Sequence, residues 1–223
     1  MRPEAIAAVT EGMARWANPS SPHAEGRAAR AALEDARKRI AQALDWPQHV
    51  ILTSGASESA ALALRGRPGV GVAAVEHDAI LRAAESPVML PVDDAGRIDT
   101  ANLPAVVAVQ SANSETGVLP GVPERTATDV WIADCAQTAG KLALPDADLV
   151  IVSAHKLGGP PGIGALLVRD LGLLDPTGGQ ERGYRGGTEN LPAALGLAAA
   201  LEAPRDWFAE AWTRIAQDIK RAA

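Results

Sequence analysis

Cysteine is almost absent from this sequence: Cys135 is the single one in 223 residues. No disulfide can form within the chain, and nothing points to an oxidising compartment. An excess of positive charge is missing too. Twenty-one lysines and arginines face 27 aspartates and glutamates, for a formal net charge of -6. That balance disfavours non-specific binding to nucleic acid or to an anionic membrane surface. No apolar run is long enough to span a bilayer. The opening Met1-Arg2-Pro3-Glu4 lacks the apolar stretch of a secretory signal. The expectation is a cytoplasmic protein with no membrane and no nucleic-acid partner.

What remains is ordinary for a globular chain, with 47% hydrophobic and 22% charged residues. The length suits one sizeable domain. Short apolar runs recur at 50–53, 70–75, 105–109, 130–133, 149–152 and 165–168. Most are continuous rather than alternating, which suits strands buried on both faces. Helical patterns lie between and around them. Residues 28–44 place Ala29, Leu33, Ala36, Ile40 and Leu44 on one face. Further helices are expected up to Leu64, over 191–201 and over 207–219. The fold expected is α/β: three layers, with a mainly parallel sheet between helices.

Several runs end in residues with chemistry, and open α/β sheets bind ligands at the carboxyl ends of their strands. Thr53-Ser54-Gly55-Ala56-Ser57-Glu58-Ser59 reads as a strand, a small-residue turn and a helix start. Free backbone N–H groups there attract phosphate, and the Ser57 hydroxyl adds a donor; the alternative is a plain helix cap. His77, in Glu76-His77-Asp78, follows another run but says little alone. Asp134 follows 130–133 directly, where a carboxylate is costly unless it meets a cation such as a protonated pyridine nitrogen; it could equally be an N-cap. Lys156 closes Ser153-Ala154-His155-Lys156 after a fully apolar run. Desolvation there would free its amine for Schiff-base chemistry, although a lysine can also snorkel from a strand end.

The order of these segments resembles the cysteine desulfurases of the NifS/IscS type, among the class V aminotransferases of pyridoxal phosphate (PLP) fold type I. Asn18-Pro19-Ser20-Ser21-Pro22-His23, residues 53–59, Asn113-Ser114-Glu115-Thr116-Gly117, Asp134 to Gln137 with Gly140-Lys141, Ser153 to Lys156 with residues 159–165, and Gly178-Gly179-Gln180-Glu181-Arg182-Gly183 with Arg185 and Gly187-Thr188 carry the likeness. The resemblance implies pyridoxal 5'-phosphate as cofactor. Ala56 and Ser57 would hold its phosphate, with Ser153 and His155 as further phosphate ligands. His77 would stack on the ring, Asp134 meet its nitrogen and Gln137 donate to its phenolic oxygen. Lys156 would be the Schiff-base lysine. Thr188 would reach the phosphate of a neighbouring subunit, which implies a homodimer. Asn113 and Ser114 match the family's paired asparagines near cofactor and substrate. Serine at 114 lacks the amide's paired donor and acceptor, which bears on how the substrate is oriented.

The resemblance implies L-cysteine or a related amino acid as substrate, alanine as product, and a sulfur acceptor or iron-sulfur scaffold protein as partner. Residues 1–203 would form the PLP-binding large domain, and 204–223 a helix leading towards a small domain. The family's sulfur-accepting cysteine and carboxylate-gripping arginine belong to segments not found among these residues. Cys135, beside a buried strand, is a poor substitute. The alternatives are another PLP reaction (transamination, β-elimination or selenocysteine lysis) and a non-catalytic homologue that acts by dimerising.

Overall fold

Six apolar runs become largely buried strands because their β-branched and aliphatic side chains can be buried on both faces of one sheet. The computed structural model describes residues 1–121, 123 and 128–204. The helix expected over 207–219 lies outside the described residues, as does all but Pro204 of the segment assigned to 204–223. The strands are β1 (His49–Thr53), β2 (Gly71–Ala73), β3 (Val88–Leu90), β4 (Val106–Gln110), β5 (Val130–Asp134), β6 (Leu149–Ser153) and β7 (Gly164–Val168). They form a seven-stranded sheet in the order β1-β7-β6-β5-β4-β2-β3. Neighbours from β6 through β3 run parallel, whereas β7 is antiparallel to both β1 and β6. The sheet is therefore mainly parallel, as expected.

Side chains alternate between two apolar layers. Val150 and Val152 of β6, with Trp131 and Ala133 of β5, join the layer that includes Leu33 and Leu197. Leu149, Ile151 and Ile132 face the other layer, with Ala60, Leu64 and Ile80. The first layer is covered by α1 (Pro3–Ala14), α2 (Ala24–Ala43) and α5 (Leu191–Glu202); the second by α3 (Ala56–Leu64) and α4 (Asp78–Ala83). This is the three-layer arrangement the sequence implied.

The differences have local causes. Helix α2 begins at Ala24 rather than residue 28, because the His23 side chain accepts the Gly26 N–H and caps the helix ahead of its apolar stripe. Helix α1 was not expected. Its packing face includes Ala5 and Gly12, small residues that let it lie close against α5, where a Cβ on Gly12 would sit 2.9 Å from Pro192 Cα. Helix α4 and strand β3 span six and three residues, too short for a period to show.

Candidate active site

The carboxyl ends of β1, β4, β5 and β6 lie along one edge of the sheet. The register pairs Gln110 with Asp134, while Ser153 and Thr53 both pair with Gly164. A cavity of about 480 Å³ opens there. Its wall includes Ala56, Ser57, His77, Ser114, Asp134, Gln137, Ser153, His155 and Lys156. Nine of the eleven residues singled out from the sequence thus meet in one place.

The turn after β1 is built for close approach. Gly55 caps α3 with φ 150° and ψ -175°, a conformation open essentially to glycine. Its backbone lies against Gly164, where an added Cβ would sit 2.5 Å from the Val152 carbonyl oxygen and 2.8 Å from Gly55 Cα. The first-turn N–H groups of a helix have no intrahelical acceptor, so α3 offers those of Ala56 and Ser57 to an anion. Glu58 also belongs to this turn. It accepts the Ser54 N–H at 2.5 Å, and Arg185 Nε lies 3.0 and 3.2 Å from its two oxygens. Partial burial works to raise the Glu58 carboxyl, but the Ser54 N–H and, after it, Arg185 together hold it below the ordinary range. Arg185 also offsets a negative charge that would otherwise repel a phosphate.

Asp134 ends β5 and is 8% exposed. Burial raises its pKa; a hydrogen bond from the Ala136 N–H at 2.9 Å and the positive charges of His77 and Lys156 oppose the rise. One oxygen therefore serves the local turn, as the capping alternative supposed, while the residue still walls the cavity. A buried carboxylate that gains from nearby cations suits a protonated ring nitrogen.

Ser153 Oγ and His155 Nδ1 lie 3.0 Å apart at the end of β6. Partial burial and the charge of Lys156 lower the His155 pKa, favouring a neutral ring that can still hydrogen-bond. Lys156 sits in a single 3-10 turn, Ala154–Leu157, and not on the strand itself. Its side chain is exposed. The desolvation anticipated from its apolar approach is not provided by this chain's own walls. His77 is exposed as well and caps α4, its Nδ1 accepting the Ala79 N–H at 3.0 Å.

Two residues stand apart from the cavity wall. Asn113 shapes its own turn: Oδ1 accepts the N–H groups of Glu115 and Thr116, and Nδ2 donates to the Val75 carbonyl at 3.0 Å. It braces the site from behind. Thr188 is exposed and does not line the cavity. Ser114 does, its hydroxyl donating to Glu115 Oε1 at 3.2 Å. The wall also includes Ser54, Glu58 and Gly162 from segments the sequence had singled out, and Gln110, which sequence reasoning missed. The position of Gln110 at a strand end is the one signal that could have found it.

The Gly178–Arg185 segment proves to be an anchor. Glu181, 2% exposed, accepts from Arg37 at 2.5 and 3.0 Å and from the Leu52 N–H at 2.8 Å. That ties the loop bearing Arg185 to β1 and α2. Cys135 is fully buried, and burial pushes its thiol up to about 12, outweighing hydrogen bonds with Ser111 and Thr138. It is protonated and out of reach of a substrate. Among the described residues no His, Cys, Asp and Glu cluster could hold a metal ion. No helix among them is long and apolar enough to cross a membrane.

Comparison with known proteins agrees with this geometry. A cysteine desulfurase from Frankia sp. is 36% identical over 245 residues, covering 90% of this chain and 58% of its own. One from Bradyrhizobium diazoefficiens is 34% identical, with coverages of 84% and 57%. The chain thus spans less than two thirds of the length of these relatives. A solved structure of SspA in complex with cysteine superposes with a TM-score of 0.81 at 27% identity, over 98% of this chain and 75% of that one. DndA from Streptomyces lividans gives 0.76 at 30% identity, over 90% and 68%. Relatives of this class depend on pyridoxal phosphate. The aminotransferase class-V family model matches residues 2–223, and the chain belongs to that family.

Proposed function

We propose that this chain holds pyridoxal 5'-phosphate in the cavity at the sheet edge, attached through Lys156, and handles L-cysteine in the manner of a cysteine desulfurase. The observation that carries the reading is the convergence of a lysine, a histidine and a buried aspartate beside the open N-terminus of α3. Bound there, the group supplies an electron-withdrawing ring that eases bond breaking at an amino acid's α-carbon.

The chain's own residues do the rest. Ala56, Ser57, Ser153 and His155 present backbone and side-chain donors to the phosphate. Asp134, with its neighbours favouring the ionised form, would keep a bound ring nitrogen protonated. Gln137 would donate to the cofactor's phenolic oxygen, and His77 would lie against its ring. Lys156 Nζ would supply the attaching amine and would serve as the base towards the substrate. Thr188, exposed and outside its own cavity, serves the phosphate of a second copy, making the working unit a homodimer. Asn113 acts by holding the turn that carries Ser114. The setting is cytoplasmic, and the sulfur goes to an acceptor or iron-sulfur scaffold protein.

Cys135 takes no part in sulfur transfer, being buried and protonated. Cys135 being the single cysteine of these 223 residues, the attacking thiolate comes from elsewhere. The full chain, loaded with pyridoxal phosphate and given L-cysteine, should release alanine and sulfide only when an external thiol is added, and Cys135→Ser should change neither. No alanine in the presence of cofactor and thiol would sink the desulfurase reading. Pyruvate as the product would favour β-elimination, which needs no thiol nucleophile; the buried Cys135 is the observation that favours that second reading.

A further inference from the structure

Between β2 and α4 the chain turns through residues 74–77, and one side chain of those four is buried: Glu76, at 5% exposure. A turn of this kind is ordinarily pinned by an apolar side chain, because burying a carboxyl is costly. The sheet explains the choice. Pairing of β2 with β4 runs only through Gly71↔Val107 and Val72↔Ala108. The Gln110 N–H, further along β4, has no strand partner on that side. Glu76 Oε2 accepts it at 2.9 Å. The Gln110 side chain returns the connection, donating through Nε2 to the Val75 carbonyl at 2.7 Å, and Asn113 donates to the same carbonyl. Three hydrogen bonds thus fasten Val75-Glu76, immediately before His77, to the end of β4 and the turn beyond it.

We propose that Glu76 is a positioning residue: its buried carboxyl fixes the turn that carries His77 and so sets where the His77 ring stands in the cavity. This rests on the reading of the cavity as a pyridoxal phosphate site, where His77 covers the ring. Glu76 Oε1 has no hydrogen-bond partner among the described residues. Burial, reinforced by the charge of Asp134 on β5, pushes the Glu76 carboxyl up to about 8. The group therefore acts as a neutral acid near neutral pH, and glutamine, which keeps the acceptor oxygen, should replace it. Leucine, which fills the space without an acceptor, should not.

The test uses the full chain with its four histidines carrying ¹³C in their rings, first without cofactor. Glu76→Gln should leave the His77 signals in place and keep the dissociation constant for pyridoxal phosphate within about twofold of wild type. Glu76→Leu should displace the His77 signals alone and weaken binding roughly tenfold, the scale of one lost hydrogen bond. Unmoved His77 signals in the leucine variant, or equal displacement in both variants, would overturn the proposal. If the leucine variant does not fold, the glutamine variant still decides. Wild-type His77 signals should show a step near pH 8 as Glu76 ionises, and the glutamine variant should lack it; a step that persists overturns the proposal. A wild type that does not take up the cofactor, yet shows these histidine shifts, would defeat the cofactor reading and leave the positioning role standing.

Discussion

Replacing Glu76 by glutamine should stabilise the cofactor-free chain, and by an amount that grows with pH. In the fold the carboxyl is raised from 4.5 to about 8, first by burial and further by Asp134. Unlike Asp134, it has no cation acting on it among the described residues. Below the unfolded value both states hold the proton and nothing is lost. As pH rises past 4.5 the unfolded chain releases its proton while the folded chain keeps it. Stability therefore falls, by up to about 1.4 kcal/mol per pH unit, until the folded group ionises near 8. Between pH 5 and pH 7.5 the loss comes to about 3 kcal/mol. Glutamine does not titrate, keeps the acceptor for the Gln110 N–H, and escapes that loss. For a chain of this size, 3 kcal/mol corresponds to a shift of roughly 6–12 °C in Tm. Melting curves of both proteins at pH 5 and pH 7.5 check this. The difference should be small at pH 5 and favour Glu76→Gln by that margin at pH 7.5. A difference that does not change with pH would refute the reasoning.

Other positions give independent outcomes. Arg37→Met strands the Glu181 carboxylate in the interior with, among the described residues, only the Leu52 N–H as donor, and should cost about 3–5 kcal/mol in chemical denaturation. Gly164→Ala drives a Cβ into the Val152 carbonyl and Gly55 Cα. It should cost about 1–3 kcal/mol and weaken pyridoxal phosphate binding measured by titration.

Where a residue's chemistry agreed with its place at a strand end, its position on the cavity wall could be read from the sequence. Asp134 and Ser153 end their strands, and Lys156 follows within one turn, so runs of apolar residues located them. The burial of β5 and β6 on both faces followed from the same runs. Tertiary hydrogen bonding could not be read in this way. Glu76 and Glu181 are buried because distant backbone N–H groups, Gln110 and Leu52, need acceptors, and no local pattern announces that need. Helix α1 escaped notice because its packing rests on the small residues Ala5 and Gly12 against α5, not on a stripe of large ones. The environment of Lys156 was misjudged for a related reason: an apolar strand before a residue does not fix the exposure of the side chain one turn later.

The account turns on Lys156 as the attachment point for pyridoxal phosphate. The direct measurement mixes the purified full chain with the cofactor, reduces it with borohydride, and locates the added mass by peptide mass spectrometry. The account predicts a phosphopyridoxyl group on the peptide containing Lys156, at close to one per chain, and its loss in Lys156→Ala together with the visible absorption band of the unreduced protein. Labelling spread over other lysines, or a band that survives Lys156→Ala, would contradict it.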